Sequence, residues 1–570
     1  MHRSVFKFIL LSGVALAPLP AVAQQIDSGW SPMDDNYGSS EEAVPQESAT
    51  AEKRSRGGSK REGPRVEVTP YIEATQVVFA DLKNGGDVLT YSTVAAGVDA
   101  SIATRRAEAQ INLRYERLIG YDNVQDQDIV TGLARGSVAL TRNFSLEAGG
   151  VASRTSVDGR GAGTFNPLGN PDNVTQVYSV YGGPTFTTQV GDLSVNAAYR
   201  AGYTKVESKD VVALPAGQQR FDQFDDSISQ VATASVGMQP GALPFGWAVS
   251  GSWEREDAGQ LDSRFEGKYA RADVTVPVTP TLALVGGIGY EDIEISERDA
   301  LRDINGDPVV GSNGRLVTDP NSPRLVAYQQ DGLIWDAGVL WRPSPRTSVE
   351  ARYGRRYGTD TYIGSLSYQP GRDWAVNVSV YDQVTGFGGL INDSLAALPT
   401  QFRSSRNPLS GDIGGCAFGQ TGGFCLNDSL QNASSAAFRQ RGVTGSFSGT
   451  NGGWDSGFAV GYNQRKFIAS QLGAQAQIDG QKDDNYFAVV ALGTELDRRT
   501  RFESNVYVNY FDPGFAGASD VLQTGANAAL YRQIIRGLSA SAAVGLDSYQ
   551  QDDFDSEVTA SALLGLRYSF

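Results

Sequence analysis

The chain has 570 residues, a formal net charge of −16, 66 Gly, 24 Tyr and 24 Phe, but only 3 Met and 2 Cys. This composition suits strands and tight turns more than a helical core. The single histidine is His2, so the rest of the chain lacks the imidazole that Ser-His, Asp-His and His-metal sites use near neutral pH. We therefore predict no enzymatic activity, no bound metal and no other cofactor.

The N-terminus has the pattern of a secretory signal peptide. Arg3 and Lys7 precede an apolar run that begins at Phe8, and Ala21-Val22-Ala23 follow it. The run is about half as long as a membrane-spanning helix requires, so an anchoring helix is the weaker interpretation. We predict a signal peptide over residues 1–23.

Residues 24–64 are polar, and the charge along the segment changes sign. An acidic part around Asp34 and Glu41 is followed by a basic part around Lys53 and Arg61. Such a segment buries too little apolar surface to offset the entropy of ordering. We predict a disordered periplasmic tail. The alternative function is a basic tether to anionic lipid or to a periplasmic export partner.

From about residue 65 to residue 570 the chain alternates polar and apolar residues. In one example, Arg106, Glu108 and Arg114 alternate with Ala107, Leu113 and Tyr115. Successive side chains of a strand point to opposite faces, so one face is charged and the other apolar. A soluble sandwich also alternates, but not normally over such a length with charges along one face. The pattern predicts an all-β, antiparallel, up-and-down transmembrane barrel in the outer membrane of a Gram-negative bacterium.

Short and long connections alternate along the barrel region. Short turns occur at positions such as Gly191-Asp192 and Asn451-Gly452, and long connections at positions such as 297–324 and 386–436. Outer-membrane barrels place short turns in the periplasm and long loops outside. The count predicts roughly 22 strands, within about 18 to 24, and both termini in the periplasm.

The last strand ends on an aromatic residue. Its alternate residues Leu566, Tyr568 and Phe570 form one face. We interpret these three residues as the assembly signal that outer-membrane proteins present to the barrel-assembly machinery. Outer-membrane lipid and lipopolysaccharide are the other expected partners, and no nucleic acid is expected.

One part of the chain runs from Trp341 through Pro343-Ser344-Pro345 to Val349, with Arg352-Tyr353-Gly354 and Leu366-Ser367-Tyr368 beyond it. This part of the chain resembles the putative β-barrel porin (type two) family. The resemblance covers about residues 320–385. It implies an outer-membrane barrel of a group in which some members accompany exopolysaccharide export, and it assigns no functional residue.

The alternation also predicts which charged side chains line the lumen. These residues carry both signs, and either they satisfy one another as a solvated wall or they form a substrate-selective track. The candidates are Glu73, Arg106, Glu108, Arg114, Glu116, Arg200, Asp336, Glu350, Arg352, Glu503 and Arg567.

Acidic residues cluster near the long loops. Examples are Asp126 with Asp128, Asp225 with Asp226, and Glu254 with Asp257. Carboxylate oxygens suit hard cations, so these clusters are candidate sites for divalent cations shared with surface glycolipid. Simple solubility of the outer loops explains them equally well.

Cys416 and Cys425 are the only cysteines, and both lie in the longest predicted outer loop, about 386–436. Export through an oxidising compartment favours a disulfide between them. A loop of this length is usually functional or disordered. We expect it to fold over or into the mouth of the barrel and narrow the pore.

A barrel of about 22 strands has a lumen that similar barrels keep plugged, and the polar tail is too short to be a plug domain. The sequence leaves three hypotheses. The first is a passive porin-like channel for small or medium polar solutes, the second a conduit for export of a surface polysaccharide, and the third a structural or adhesive barrel.

Overall fold

The computed structural model describes residues 65–83, 88–121, 126–156, 174–207, 224–371, 373–419, 422–425, 433–514, 519–551 and 556–570. The predicted signal peptide and tail lie outside the described residues, as do parts of several outer loops.

Strands make up most of the described chain. The barrel strands before the longest loop are β1 (Arg65–Asp81), β2 (Val88–Ala103), β3 (Ala107–Gly120), β4 (Gln127–Ala139), β5 (Phe144–Ser156), β6 (Val174–Val190), β7 (Leu193–Glu207), β8 (Asp226–Met238), β9 (Gly246–Ala258), β10 (Arg264–Thr279), β11 (Leu282–Glu297), β12 (Leu325–Ser344), β13 (Thr347–Arg356), β14 (Thr359–Tyr368) and β15 (Trp374–Thr385).

The longest loop carries its own elements. They are helix α1 (Phe387–Ala396) and the short strands β16 (Arg403–Arg406), β17 (Ile413–Gly419) and β18 (Gly422–Cys425). The barrel then resumes with β19 (Ala437–Asn451), β20 (Trp454–Ile468), β21 (Lys482–Asp497), β22 (Thr500–Asp512), β23 (Val521–Ile535), β24 (Leu538–Gln551) and β25 (Glu557–Ser569). Two 3-10 turns, Gln260–Asp262 and Ala476–Ile478, lie in outer connections.

Twenty-two strands form one antiparallel sheet, in which each strand pairs with the barrel strands before and after it in the chain. The sheet closes because β1 pairs with β25 as well as with β2. The predicted fold class and strand count are confirmed. An even number of strands brings Arg65 and Phe570 to the same rim, the one that carries the short turns.

The two faces of each strand differ as the alternation requires. In β3, Leu113 and Tyr115 are exposed on the outside, whereas Arg114 and Glu116 between them are buried inside. In β25, Leu564, Leu566 and Tyr568 are exposed outward while Ser561 and Leu563 are buried. An apolar outer wall of this kind faces lipid, and the chain is an outer-membrane protein.

Aromatic side chains border the outer wall near both rims. Tyr353 and Tyr362 lie near the outer ends of β13 and β14, with ring centroids 5.2 Å apart. Tyr368 and Trp374 lie near the short-turn ends of β14 and β15, 5.5 Å apart. Amphipathic rings at these levels match the two membrane interfaces.

The seam between β25 and β1 is held by the backbone and by a lumen-facing cation. The Phe570 amide donates to the Pro70 carbonyl at 3.0 Å. On the inside, the Arg567 guanidinium lies 3.5 Å from the centre of the Tyr71 ring and pairs with Asp99 at 2.5 Å. Leu566, Tyr568 and Phe570 point outward, and their role as an assembly signal stays a prediction.

In the described part of the chain, no helix has the length and apolar character needed to cross a membrane.

The lipid-facing assignment predicts how one substitution affects stability. Leu564 lies near the middle of β25 and is 69% exposed on the outer wall. The change Leu564→Arg should lower the free energy of unfolding in lipid vesicles by about 2 to 4 kcal/mol, because a cation near the bilayer midplane loses hydration.

The matched control is Leu472→Arg, since Leu472 is 79% exposed but lies in the outer connection between β20 and β21. Denaturant titration should show a change within about 0.5 kcal/mol there. Equal losses at both positions would contradict the assignment of the outer wall.

Candidate functional site

The connection between β15 and β19, residues 386–436, enters the barrel. Helix α1 contacts β5, β6, β7 and β8 on one side, while β18 contacts β15, β19 and β20 on the other. A segment that touches the inner faces of both groups of strands lies across the lumen. We call the described residues of 386–436 the plug loop, and its narrowing of the pore stays a prediction.

The apolar spacing of the plug loop explains α1. Phe387, Leu390, Ile391 and Leu395 recur at intervals of three and four residues, which places them on one helical face. Most of them pack in one buried cluster with side chains of the barrel wall, including Val177, Tyr181 and Val206. The Phe387 ring also lies 4.9 Å from that of Phe224. Helix and wall therefore share one apolar core.

The first turn of α1 is bound by a carboxylate of β9. Glu256 accepts hydrogen bonds from the backbone amides of Gly388 at 3.0 Å and Gly389 at 2.9 Å. These amides have no partner within the helix, and the positive end of the helix dipole favours the negative charge. A β-carbon at Gly388 would overlap the Ser227 hydroxyl and lie 2.9 Å from Glu256. Glycine is therefore required for this close approach.

Asn392 on α1 binds three neighbouring wall strands. It accepts a hydrogen bond from the Ser179 hydroxyl at 2.9 Å and donates one to the Ser229 hydroxyl at 2.8 Å. Its amide also occupies the space that a β-carbon on Gly202 would need. The next residue, Asp393, pairs with Arg200 at 3.4 Å. The contacts fix both the depth and the rotation of α1.

A buried ion pair anchors the turn between β16 and β17. β5 pairs with β4 only as far as Ala152, and beyond that point Arg154 reaches Asp412 in the lumen. Its Nε and Nη2 donate to the two carboxylate oxygens at 2.7 and 2.6 Å, and Nη2 also donates to the Ser410 carbonyl at 3.1 Å. Both side chains are at least nine-tenths buried. Removing one partner would leave the other as a buried uncompensated charge.

Arg406 on β16 is the second cation of the plug loop. It donates to the Thr131 hydroxyl at 2.6 Å and also to the Gly411 carbonyl and the Asn112 amide oxygen. Burial lowers the pKa of Arg406 from its ordinary value, although a guanidinium remains charged at physiological pH. Gly411, with a φ of 71°, sits directly above Glu116 and Arg114 of β3.

The predicted disulfide between Cys416 and Cys425 is present and joins β17 to β18. We call β17, β18 and this bond the disulfide hairpin. Cys416 packs against Ala459, Phe487 and Tyr507 of the wall, and Phe418 packs beside it. A β-carbon at Gly457 would meet the Phe418 ring at 2.8 Å. The hairpin therefore lies directly on β20 to β22.

A small recess lies open on the outer side of the plug loop, and we call it the vestibule. Its lining includes Glu254, Tyr269, Glu291, Arg356, Tyr357 and Asp393. The Arg356 guanidinium lies 5.3 Å from the Tyr269 ring and 4.7 Å from the Tyr357 ring, and it binds Glu291 at 2.7 Å. The vestibule therefore combines aromatic faces with charges of both signs.

Tyr357 adopts a backbone conformation that is rare for its type. Its φ is 55°, and Gly358 follows with 71°, in the tight outer hairpin between β13 and β14. Asn or Gly normally occupies such a position, and a bulky residue there costs of order 1 kcal/mol or more. The turn directs the ring into the vestibule, where it is 7% exposed. Backbone strain of this kind often accompanies ligand-binding positions.

Several predicted lumen residues pair within the wall. Arg114 binds Glu73 at 2.8 Å and Glu116 at 2.6 Å. Arg352 binds Asp336 at 2.8 Å and Glu350 at 2.5 Å. Arg271 and Asp273, which were not singled out from the sequence, complete this second network. Their charges stabilise the wall, and whether they also select a substrate stays a proposal.

Other predicted residues contact the plug loop or a neighbouring strand. Arg200 pairs with Asp393, Glu108 accepts a hydrogen bond from Thr400 at 2.7 Å, and Glu503 pairs with Arg501 at 2.7 Å. Arg106 is the exception: it is exposed in the turn between β2 and β3, one residue before β3 begins. Its assignment to the lumen stays a prediction.

Sequence reasoning missed Arg154, Glu256, Asn392 and Asp412. The helical spacing of apolar residues at 387, 390, 391 and 395 was a usable signal for α1. The wall partners gave none, since an inward glutamate or arginine looks the same whether it faces water or a plug.

Several acidic residues of the outer rim pair with arginines. Arg117 binds Asp126 at 2.9 Å and Asp128 at 2.8 Å, and Asp257 binds Arg255 and Arg264. Across the described ranges, no group of three potential ligands converges in a way that could hold a metal ion. Other acidic residues, such as Asp122 and Asp552, lie outside those ranges.

Solved structures similar to this chain include outer-membrane receptors and a transporter. The alcaligin outer-membrane receptor FauA of Bordetella pertussis is 12% identical, with 88% of this chain and 76% of that chain covered and a TM-score of 0.39. The ferric-catecholate import receptor Fiu of Escherichia coli K12, in its closed form, is 11% identical, with 89% and 82% covered and a TM-score of 0.43.

The copper transporter OprC is 12% identical, with 90% of this chain and 81% of that chain covered and a TM-score of 0.37. Similarity at this level concerns the barrel architecture. No family model and no curated protein matches the chain, so the predicted resemblance to a porin family is unsupported beyond the barrel itself.

The three functions predicted from the sequence are corrected by these findings. The similar solved barrels named above carry the names of receptors and of a transporter, and none of them is named as a porin, an export conduit or an adhesive barrel. The lumen in addition holds a folded plug loop bonded to the wall. The sequence-based interpretation failed because it started from the width of the barrel and did not include the contacts between the plug loop and the wall.

The Arg154–Asp412 pair yields a testable prediction. Arg154→Met keeps the length of the side chain but leaves Asp412 buried without its cation, which costs about 3 to 5 kcal/mol. The plug loop should loosen, and current through single proteins in planar bilayers should rise at least tenfold over the unsubstituted protein.

The matched control is Arg271→Met, which breaks an equally buried pair that joins only wall strands. It should lower barrel stability and leave the current at its resting level. If Arg154→Met stays as closed as the control, the ion pair does not hold the plug loop.

Proposed function

We propose that the protein is a ligand-selective uptake receptor of the outer membrane. In this proposal, a ligand binds in the vestibule, and the plug loop then moves to admit it. The observation that carries the proposal is the plug loop itself, because buried hydrogen bonds and an ion pair hold it across the lumen.

The contacts of the plug loop are consistent with reversible movement. Beside the apolar contacts of α1, its polar ties to the wall are few at each point: the Glu256 carboxylate, the Asn392 amide and the Arg154–Asp412 pair. Polar contacts can exchange with water or with a ligand when the loop shifts, whereas the strands of the barrel keep their ladders. The barrel is thus the rigid element and the loop the element with two positions.

The vestibule is the expected first binding site. It opens toward the outer loops and adjoins α1 through Asp393, so a bound ligand can alter the contacts of the helix directly. There the Arg356 guanidinium, which is bound to Glu291, lies beside the Tyr269 and Tyr357 rings.

Movement of the plug loop requires energy from outside the outer membrane. Several buried polar contacts break at once, each worth about 1 to 3 kcal/mol when a partner is left unsatisfied. The expected partner is therefore an inner-membrane energy-transducing protein of the TonB type that reaches the barrel from the periplasm. Lipid and lipopolysaccharide surround the barrel wall.

A reversible lock tests the proposal. A β-carbon on Gly202 would overlap the Asn392 side chain, so cysteines at these positions have β-carbons within disulfide reach. In a deletion strain carrying Gly202→Cys with Asn392→Cys, oxidation should tie α1 to β7, and reduction should release it.

The readout is mass spectrometry of spent defined medium. Cells with the unsubstituted protein should deplete at least one solute that deletion cells leave, and a proton uncoupler should stop this depletion. The oxidised double variant should fail to deplete it and should recover with dithiothreitol.

The single variant Asn392→Cys controls for the loss of the Asn392 hydrogen bonds. Cells with the unsubstituted protein, treated with dithiothreitol, control for reduction of the natural disulfide. Depletion that is insensitive to the lock, or identical in deletion cells, would refute gated uptake.

A further inference from the structure

A row of amide side chains lines the lumen on β20 to β23. All of them occupy inward positions of their strands, and several face each other across strands: Asn463 opposite Asn485, Asn509 opposite Gln523, and Asn505 opposite Asn527. We call these six residues the amide track. Side chains opposite each other in a sheet have β-carbons about 4.5 to 5.5 Å apart, so the two amides of each pair lie side by side.

Three members of the amide track are buried without hydrogen bonds. Asn463, Asn485 and Gln523 are 1%, 2% and 3% exposed. Within the described residues, neither the amide oxygen nor the amide nitrogen of any of the three has a partner. A buried polar group left unsatisfied costs about 1 to 3 kcal/mol, so this arrangement opposes stability in the closed state. Each such group in a native structure calls for an explanation, and a functional role is one of them.

Aromatic rings alternate with the amides. Phe511 lies opposite Asn485, and Phe487 lies opposite Asn509. Gly461 makes room for the Phe487 ring, because a β-carbon there would overlap it. The track therefore presents flat apolar faces between groups that can both donate and accept hydrogen bonds.

The charged groups at the borders of the track already have hydrogen-bonding partners. Arg465 binds Asp483 above it, and Tyr507 donates to Asp547 at 2.5 Å below it. An anionic ligand would bring a charge into this surface without a counterion, because Arg465 is already bound to Asp483, and an unpaired charge is unfavourable in a buried site. A ligand with many hydroxyl groups matches it better, because each hydroxyl both donates and accepts.

The disulfide hairpin covers the lower edge of the track. Cys416 and its neighbours pack against Phe487 and Tyr507. Residues 426–432, which follow the hairpin, lie outside the described residues. The hairpin therefore lies against one edge of the track.

We propose that the amide track is a binding surface for uncharged, hydroxyl-rich ligands of the oligosaccharide type, exposed when the disulfide hairpin shifts. The inference rests on the proposed uptake function and names the substrate class for it. Ligand hydroxyls satisfy Asn463, Asn485 and Gln523, so binding favours the open position of the plug loop.

Binding is tested on the full chain in detergent, both unsubstituted and with Arg154→Met. The neutral probes are maltohexaose, a dextran hexamer and a chitin hexamer, and the charged probe of equal length is a galacturonic acid hexamer. Saturation-transfer NMR should detect binding of at least one neutral probe to the unsubstituted protein. The signals should be stronger with Arg154→Met. They should become at least fivefold weaker when Asn463→Leu and Asn485→Leu are added to either protein. No neutral binding, a preference for the charged probe, or binding that the two leucines leave unchanged would overturn the proposal.

Stability gives a readout that does not depend on the choice of probe. Leucine has nearly the shape of asparagine and needs no hydrogen bonds, so Asn485→Leu should leave the unfolding midpoint unchanged or raise it. The matched control is Asn377→Leu, because Asn377 is an equally buried lumen amide that accepts from the Ser367 hydroxyl at 3.1 Å. The control should lower the midpoint and leave probe binding unaltered. A midpoint that falls equally in both variants would show that the track is structural.

The two proposals fail separately. If the lock between Gly202 and Asn392 blocks uptake but the amide track binds no neutral probe, the uptake function is supported and the proposed substrate class is refuted. If neutral probes bind while the lock has no effect on uptake, the track is supported as a binding surface and gated uptake is refuted.

Discussion

The structure depends on a connection between two barrel strands that folds inward and binds the wall. A closed sheet of 22 strands satisfies its own backbone and leaves a wide lumen, so something must fill that space. Here the filling comes from the chain itself: an apolar helical face joins the wall core, and Glu256, Asn392 and the Arg154–Asp412 pair fix its position. The apolar contacts hold the plug loop, and the polar contacts determine where it sits.

Polar residues of the lumen divide into two kinds, and the difference has functional meaning. The charged side chains on β3 and on β10 to β13 satisfy one another, as in the Arg352 network. The neutral amides on β20 to β23 include three that have no partner among the described residues. The paired charges stabilise the wall, whereas the unpaired amides weaken the closed state. A gate needs such a balance, since a plug loop held only by favourable contacts would not open.

The sequence predicted the barrel well and the site poorly, for a physical reason. Strand alternation, turn lengths and the final strand are local features, so they predicted the fold, the strand count and the cysteine pair. The contacts Glu256 to Gly388 and Arg154 to Asp412 join residues more than a hundred positions apart, and no local pattern distinguishes such partners from water-facing charges. The porin-like interpretation failed at this point, because pore closure is decided by these distant contacts.

We infer that the plug loop closes the barrel, and planar-bilayer conductance of a loop deletion tests this inference most directly. A variant in which a short Gly-Ser turn replaces residues 387–435 keeps all 22 barrel strands. The account predicts a steady ohmic current through this variant and a closed resting state for the full chain. A deletion variant that folds, as judged by heat-modifiable gel mobility, and yet carries no current would contradict the account.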